Sequence, residues 1–236
     1  HEPPAQSAVI GAVNDAVQPQ DVVVCAAGSM PGDLHKLWRT RDPKGYHVEY
    51  GYSCMGYEIA GGLGVKLAAP ERDVYVLVGD GSYLMLSSEL VTAVQERRKL
   101  IVVIVDNHGY SSIGSLSRSL GTDGFGTLYR YRSNGSLGLD SEESSDYLPV
   151  DLAANAASLG AKAIRAATLV ELRAALEAAK AEEGPVAIVV EVDRYESVPS
   201  YESWWDVTVA EVSGVASVRA ARARYEAARD DEWRHL

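Results

Sequence analysis

The chain has 236 residues, 47% hydrophobic and 23% charged, enough to bury a full core as one large domain or one domain with an appendage. Its formal charge of −11 and pI near 4.9 oppose general affinity for nucleic acid or anionic lipid, so an anionic ligand must be held locally, by backbone amides or a metal. Cys25 and Cys54 lack zinc-type spacing and read as reduced thiols, no apolar run reaches the roughly 18 residues of a membrane span, and the polar start HEPPAQSAV does not resemble a signal peptide, so a cytoplasmic protein is expected.

In chain order, SAVIGAVNDAV (7–17) puts Val9, Val13 and Val17 on one helical face, and Pro19 ends that helix. DVVVCAA (21–27) reads as a buried strand stopping at Gly28, followed by a loop through residue 45. CMGYEIAGGLGVKLAA (54–69) reads as a small-residue helix closed by Pro70. Strand DVYVLVGD (73–80), helix LMLSSELVTAVQERR (84–98) and strand KLIVVIVDN (99–107) follow, the strands rich enough in Val, Ile and Leu for a parallel sheet covered on both faces. Residues 111–148 are polar and rich in Gly and Ser, and read as a long loop. Alternation resumes with a helix over 149–160, a strand over 161–167, a helix over 168–183 and a strand over 185–192. The pattern specifies an α/β fold with a doubly wound parallel sheet. Residues 1–193 are expected to form this domain, and 194–236 an arm ending in a charged amphipathic helix over 215–236.

GDGS (79–82) and DNHG (106–109) fall at the carboxyl ends of successive strands, where open α/β sheets bind ligands. Mg²⁺ takes oxygen ligands in near-octahedral geometry, usually with phosphate and water completing the shell. Asp80 offers a carboxylate, Asn107 an amide oxygen and Gly109 a main-chain carbonyl. Gly79 and Gly81 let the backbone approach a phosphate, and Ser82 with the following helix amino terminus supplies donors.

This pair of motifs resembles the signature of thiamine diphosphate enzymes, with Asn107 and Gly109 standing 27 and 29 positions after Asp80. The resemblance implies thiamine diphosphate bound through Mg²⁺, with Asp80, Asn107 and Gly109 as the metal ligands and Tyr110 beside the cofactor. His108 stands where that family often has a second Asn. AAGSM (26–30) resembles the first cofactor-contacting loop, implying contacts from Gly28, Ser29 and Met30. SCMGYEIAGGLG (53–64) resembles the segment whose apolar residue, here Met55, props the bent cofactor.

The runs EYGYSCMGYE, LSSELVTAVQ, GFGTLYRYR and WWDVTVAEVS are similar to the trihydroxycyclohexanedione hydrolases of myo-inositol breakdown. That likeness implies opening of a cyclic dione between its two carbonyl carbons to give 5-deoxy-glucuronate, in a dimer or tetramer. The activating Glu of such enzymes comes from an amino-terminal domain that no part of these residues resembles. With His rather than Met first, the sequence is expected to be the carboxyl-terminal part of a chain of roughly 600 residues, catalytically incomplete alone.

His35 is a candidate acid or base, against the plainer reading of a surface histidine. Arg130 and Arg132, interleaved with Tyr129 and Tyr131, are candidates for holding the polar ring or its product, against a solvated edge. Glu58 is unusual in a small-residue helix, and a carboxylate paired across a subunit contact explains it equally well. Trp204 and Trp205 read as packing anchors. The alternatives are an acetolactate synthase-like carboligase and a cofactor-binding subunit without catalysis. A nicotinamide-binding domain expects GxGxxG after the first strand, whereas AAGSMPGD stands there.

Overall fold

The computed structural model describes residues 3–132, 146–199, 204 and 206–232. Six strands form one sheet: β1 (Val22–Cys25), β2 (Tyr46–Val48), β3 (Val74–Gly79), β4 (Ile101–Asp106), β5 (Lys162–Ala166) and β6 (Val186–Glu191). Their order is β2-β1-β3-β4-β6-β5, and every neighbouring pair is parallel.

Side chains alternate between the two faces of a strand, and each face here has its own apolar cluster. Val23, Cys25, Tyr75, Leu77, Ile101, Val103, Ile188 and Val190 meet one helical layer. That layer comprises α1 (Gln6–Ala16), α2 (Met30–Leu37) and α8 (Leu169–Lys180). Val22, Val24, Val74, Val76, Val78, Val102, Ile104 and Val189 meet the other. There the helices are α3 (Tyr57–Ala68), α4 (Asp80–Met85), α5 (Glu89–Gln95) and α7 (Leu152–Ser158). Double coverage explains the unbroken apolar strands, and the α/β sheet expected from the sequence is present.

Local chemistry sets the helix starts. Thr168 caps α8 by accepting from the Glu171 N–H at 3.1 Å, while the Glu171 carboxylate accepts from the Ala167 N–H at 2.7 Å. Leu172, Ala175, Leu176 and Ala179 then form its buried stripe. Asp151 caps α7 through the Ala154 N–H.

Three expectations need correction. The single helix over 84–98 is two, because Leu86 leaves the helical backbone conformation and Ser87 and Ser88 follow it, residues that favour helix ends over interiors. The loop before residue 45 contains α2, with Pro31 in its first turn where no N–H is needed, and β2 begins at Tyr46. The long loop over 111–148 opens with α6 (Ser111–Ser119), whose serines and exposed Ile113 and Leu116 leave little apolar periodicity to read. Residues 133–145 lie outside the described residues.

The chain divides into two compact units: His1–Gly109 with Pro149–Val198, and Tyr110–Leu148 with Pro199–Leu236. The first is the sheet domain. In the second, α9 (Ala216–Asp230) presents Val218, Ala221 and Tyr225 to Val209 and Leu120, a small core of its own. Residues 110–148 thus group with the carboxyl-terminal segment, an association between distant stretches that no local pattern reveals.

Small residues in α3 bring it close to the sheet. A Cβ on Gly62 would lie 2.4 Å from Val76 Cγ2, whereas one on Gly64 would meet nothing within 4 Å. Gly62→Ala is expected to destabilise the fold by about 1–3 kcal/mol through overpacking. Gly64→Ala should stabilise it by roughly 0.5–1 kcal/mol through helix propensity. Urea unfolding of both variants checks the opposite signs, and equal midpoints would contradict the packing described.

Candidate cofactor and metal site

β1 leads outward to β2, whereas β3 lies on the other side of β1, so the direction of chain progression reverses between β1 and β3. A crevice outside the carboxyl ends of the strands is expected at such a reversal. Two loops converge there: residues 26–29 after β1, and Gly79 with the start of α4 after β3. The end of β4 lies alongside, since Gly79 pairs in register with Val105.

Asp80 is only 1% exposed, and its Oδ2 accepts from the Gly109 N–H at 2.8 Å. That bond ties the GDGS turn to the DNHG turn. Asp80 Oδ1 and Asn107 Oδ1 are both buried with no hydrogen-bond partner among the described residues. A buried acceptor left unpaired is costly, and two of them at adjacent strand ends fit an absent cation. The donor set is all oxygen, suited to Mg²⁺ rather than zinc. Among the described residues no three His, Cys, Asp or Glu side chains gather as a metal site, so such a site rests on Asp80, amide and main-chain oxygens.

Burial, and then the neighbouring Asp106 carboxylate, raise Asp80 above its ordinary pKa of 3.8. A carboxyl raised by folding contributes stability that is full below its ordinary value and is lost as pH climbs through the raised one. Metal-free protein should therefore lose stability with rising pH in that window. Mg²⁺ should restore more of it at higher pH, because the cation competes with the proton. Thermal melts at stepped pH with and without Mg²⁺ check this, and a Mg²⁺ effect that shrinks with pH would contradict it.

The first loop, the start of α3 and the start of α4 share one buried network. Ala27 N–H donates to Glu58 Oε1 at 3.2 Å, Ser82 Oγ–H donates to Glu58 Oε2 at 2.7 Å, and Gly56 N–H donates to Ser82 Oγ at 2.7 Å. Glu58 is therefore paired inside its own unit, its carboxyl raised by burial. Gly56 has a φ of +90°, and a Cβ there would come within 2.9 Å of Leu86, so the turn presenting Met55 requires glycine. Met55 is 36% exposed, whereas the Met30 side chain packs into the core and leaves only its backbone to the loop.

Three residues that sequence reading did not single out support these loops. Gln6 on α1 donates to Asp33 at 2.7 Å and exchanges hydrogen bonds with the Ser29 hydroxyl. Asp106 accepts from the His108 N–H at 3.0 Å, while the His108 ring contacts Glu191 at 2.9 Å. Arg194, in the arm expected from residue 194, is buried and donates to the Asn107 carbonyl at 3.2 Å. Arg194 was hidden because β6 reaches β4 only through the sheet order. Asp106 was visible as the residue before Asn107.

His35 is exposed on α2. In the second unit, Arg130 stacks 5.0 Å from the Tyr147 ring centroid and Arg132 5.3 Å from that of Phe125. Tyr110 donates its N–H to the Thr127 carbonyl and meets Tyr129 edge-on. Trp204 tilts against Tyr225 at 6.2 Å, and Trp205 lies outside the described residues.

Residues 26–190 match the family described as thiamine pyrophosphate enzyme, C-terminal TPP binding domain. The chain belongs to this family. Over 216 residues, 92% of its length, it is 47% identical to 3D-(3,5/4)-trihydroxycyclohexane-1,2-dione hydrolase 1 of Bacillus cereus. It is 46% identical to hydrolase 2 of the same Bacillus cereus strain, and 47% identical to the enzyme so named of Bacillus anthracis. These matches cover 33% of each relative, so the chain spans a third of their length. The crystal structure of benzoylformate decarboxylase from Polynucleobacter necessarius superposes with a TM-score of 0.67 at 22% identity, covering 83% of this chain and 34% of that one. That likeness shows the fold. The matched family segment begins at Ala26, where the first loop leaves β1, and ends at Val190 in β6. It therefore takes in every loop of the crevice, and the sheet unit is a thiamine diphosphate-binding domain.

Proposed function

We propose that this chain is the cofactor-holding part of a thiamine diphosphate hydrolase that opens a trihydroxycyclohexane-1,2-dione between its carbonyl carbons, giving 5-deoxy-glucuronate. The observation that carries the site is the pair of buried, unpartnered oxygens on Asp80 and Asn107 at adjacent strand ends. In this reading Asp80, Asn107 and the Gly109 carbonyl hold Mg²⁺ on the diphosphate. Gly79, Gly81 and Ser82 line the phosphates, Gly28, Ser29 and the Met30 backbone flank the cofactor with Tyr110, and Met55 props it. The sheet unit, within the expected residues 1–193, is the binding domain, and the arm expected over 194–236 belongs from Pro199 onward to the second unit.

The cofactor, when bound, supplies a carbanion that attacks a carbonyl. The residues here bind and orient it. The proton chemistry that activates it requires a Glu from an amino-terminal pyrimidine-binding domain, of the same or a neighbouring subunit in a homo-oligomer. The substrate class is supported by the names of the relatives. A cytoplasmic site of action suits a small polar substrate, and no described helix is long and apolar enough to cross a membrane.

The test is turnover by the protein in its native length with thiamine diphosphate and Mg²⁺. Conversion of the cyclic dione to an open-chain acid, followed by mass spectrometry, is expected. Acetolactate from pyruvate without action on the dione would favour a carboligase and overturn the substrate assignment.

A further inference from the structure

Glu58 is a carboxylate 1% exposed in the first turn of a helix whose other residues, Lys66 apart, are small, apolar or aromatic. Both its oxygens are engaged, and their partners come from the two loops that flank the chain reversal. Oε1 takes the Ala27 N–H at the end of β1, and Oε2 takes the Ser82 hydroxyl one turn beyond the end of β3. Ser82 in turn accepts from the Gly56 N–H beside Met55. One side chain therefore joins three backbone segments that are remote in sequence and adjacent at the crevice.

A cradle for a diphosphate and a bent heterocycle works only if its walls are set before the ligand arrives, because ordering loops on binding subtracts from affinity. A buried acceptor that reaches both sides ties residues 27, 56 and 82 to one another through hydrogen bonds, which apolar packing alone does not supply. An apolar residue at position 58 would leave the Ala27 N–H unpaired and the Ser82 hydroxyl free to turn.

We infer that Glu58 is a positioning residue that locks the first cofactor loop, the Met55 turn and the GDGS turn into one preformed cradle, through the reach of its two oxygens rather than through its charge. The inference rests on the thiamine diphosphate reading given above.

Reach and charge separate in two conservative variants. Glu58→Gln keeps the length: its Oε1 still accepts from Ala27, and its amide donates to Ser82 Oγ, reversing that bond and turning the hydroxyl proton to another acceptor while the tether is kept. Glu58→Asp keeps the charge but is shorter by one methylene and cannot hold both partners. The measurement is calorimetric affinity for thiamine diphosphate at saturating Mg²⁺, on purified protein of native length, with thermal melts confirming that each variant folds.

Glu58→Gln should bind within about threefold of the unsubstituted protein, and Glu58→Asp at least about tenfold more weakly, as for the loss of a supporting partner around a bound group. Asp binding like the unsubstituted protein, or Gln as weak as Asp, would overturn the inference alone. Absence of cofactor binding by the unsubstituted protein would overturn the cofactor assignment and the inference with it.

Discussion

Asp80→Ala is expected to lower the affinity for thiamine diphosphate in the presence of Mg²⁺ by at least about 100-fold, since even partners outside the coordination shell of a metal cost 10–100-fold when lost. Two functions disappear with this carboxylate. Oδ1 is the buried unpaired oxygen proposed as a ligand of the cation, and Oδ2 holds the Gly109 N–H, which sets the turn carrying Asn107. The substitution also removes a buried carboxyl that Asp106 repels. Relief of that repulsion opposes the loss of the Gly109 bond, so the metal-free variant should still unfold cooperatively near the melting temperature of the unsubstituted protein at neutral pH. Loss of binding together with retained melting temperature identifies a ligand residue. Cofactor affinity unchanged by Asp80→Ala would remove the site from consideration.

The second large effect concerns the acid that activates the cofactor, which the proposed function assigns to an amino-terminal domain. Glu58, a buried carboxylate tied to the cofactor loops, is already occupied by Ala27 and Ser82. Positioned acid or base groups contribute about 10²–10⁴-fold to rate, so turnover of the dione by the 236 residues alone should fall at least about 1000-fold below that of a protein also carrying the amino-terminal domain. Adding that domain as a separate chain should restore part of the rate. Equal turnover with and without it would show that the activating group lies within this chain.

Most of the sheet was legible because its strands are buried on both faces and therefore read as unbroken Val, Ile and Leu runs. The GDGS and DNHG turns were legible at the carboxyl edge because they directly follow such runs, so a strand boundary alone places them there. What stayed hidden depends on contacts between distant residues. Arg194 reaches Asn107 only because β6 inserts between β4 and β5. The role of Glu58 depends on β1 and β3 being neighbours, which the order of strands in the chain does not state. The helix α6 escaped notice because its one buried residue is Gly114, which leaves no apolar stripe. The break between α4 and α5 was misjudged for the opposite reason, since apolar residues continue through Leu84, Met85 and Leu86 while the backbone turns away.

Calorimetric titration of the chain under three ligand conditions decides whether Asp80 and Asn107 would hold a metal that anchors the diphosphate of the cofactor. Thiamine diphosphate with Mg²⁺ should bind. Thiamine diphosphate in excess chelator, and thiamine without its diphosphate in Mg²⁺, should not. Equal affinity in all three conditions, or binding that ignores the metal, would contradict the account.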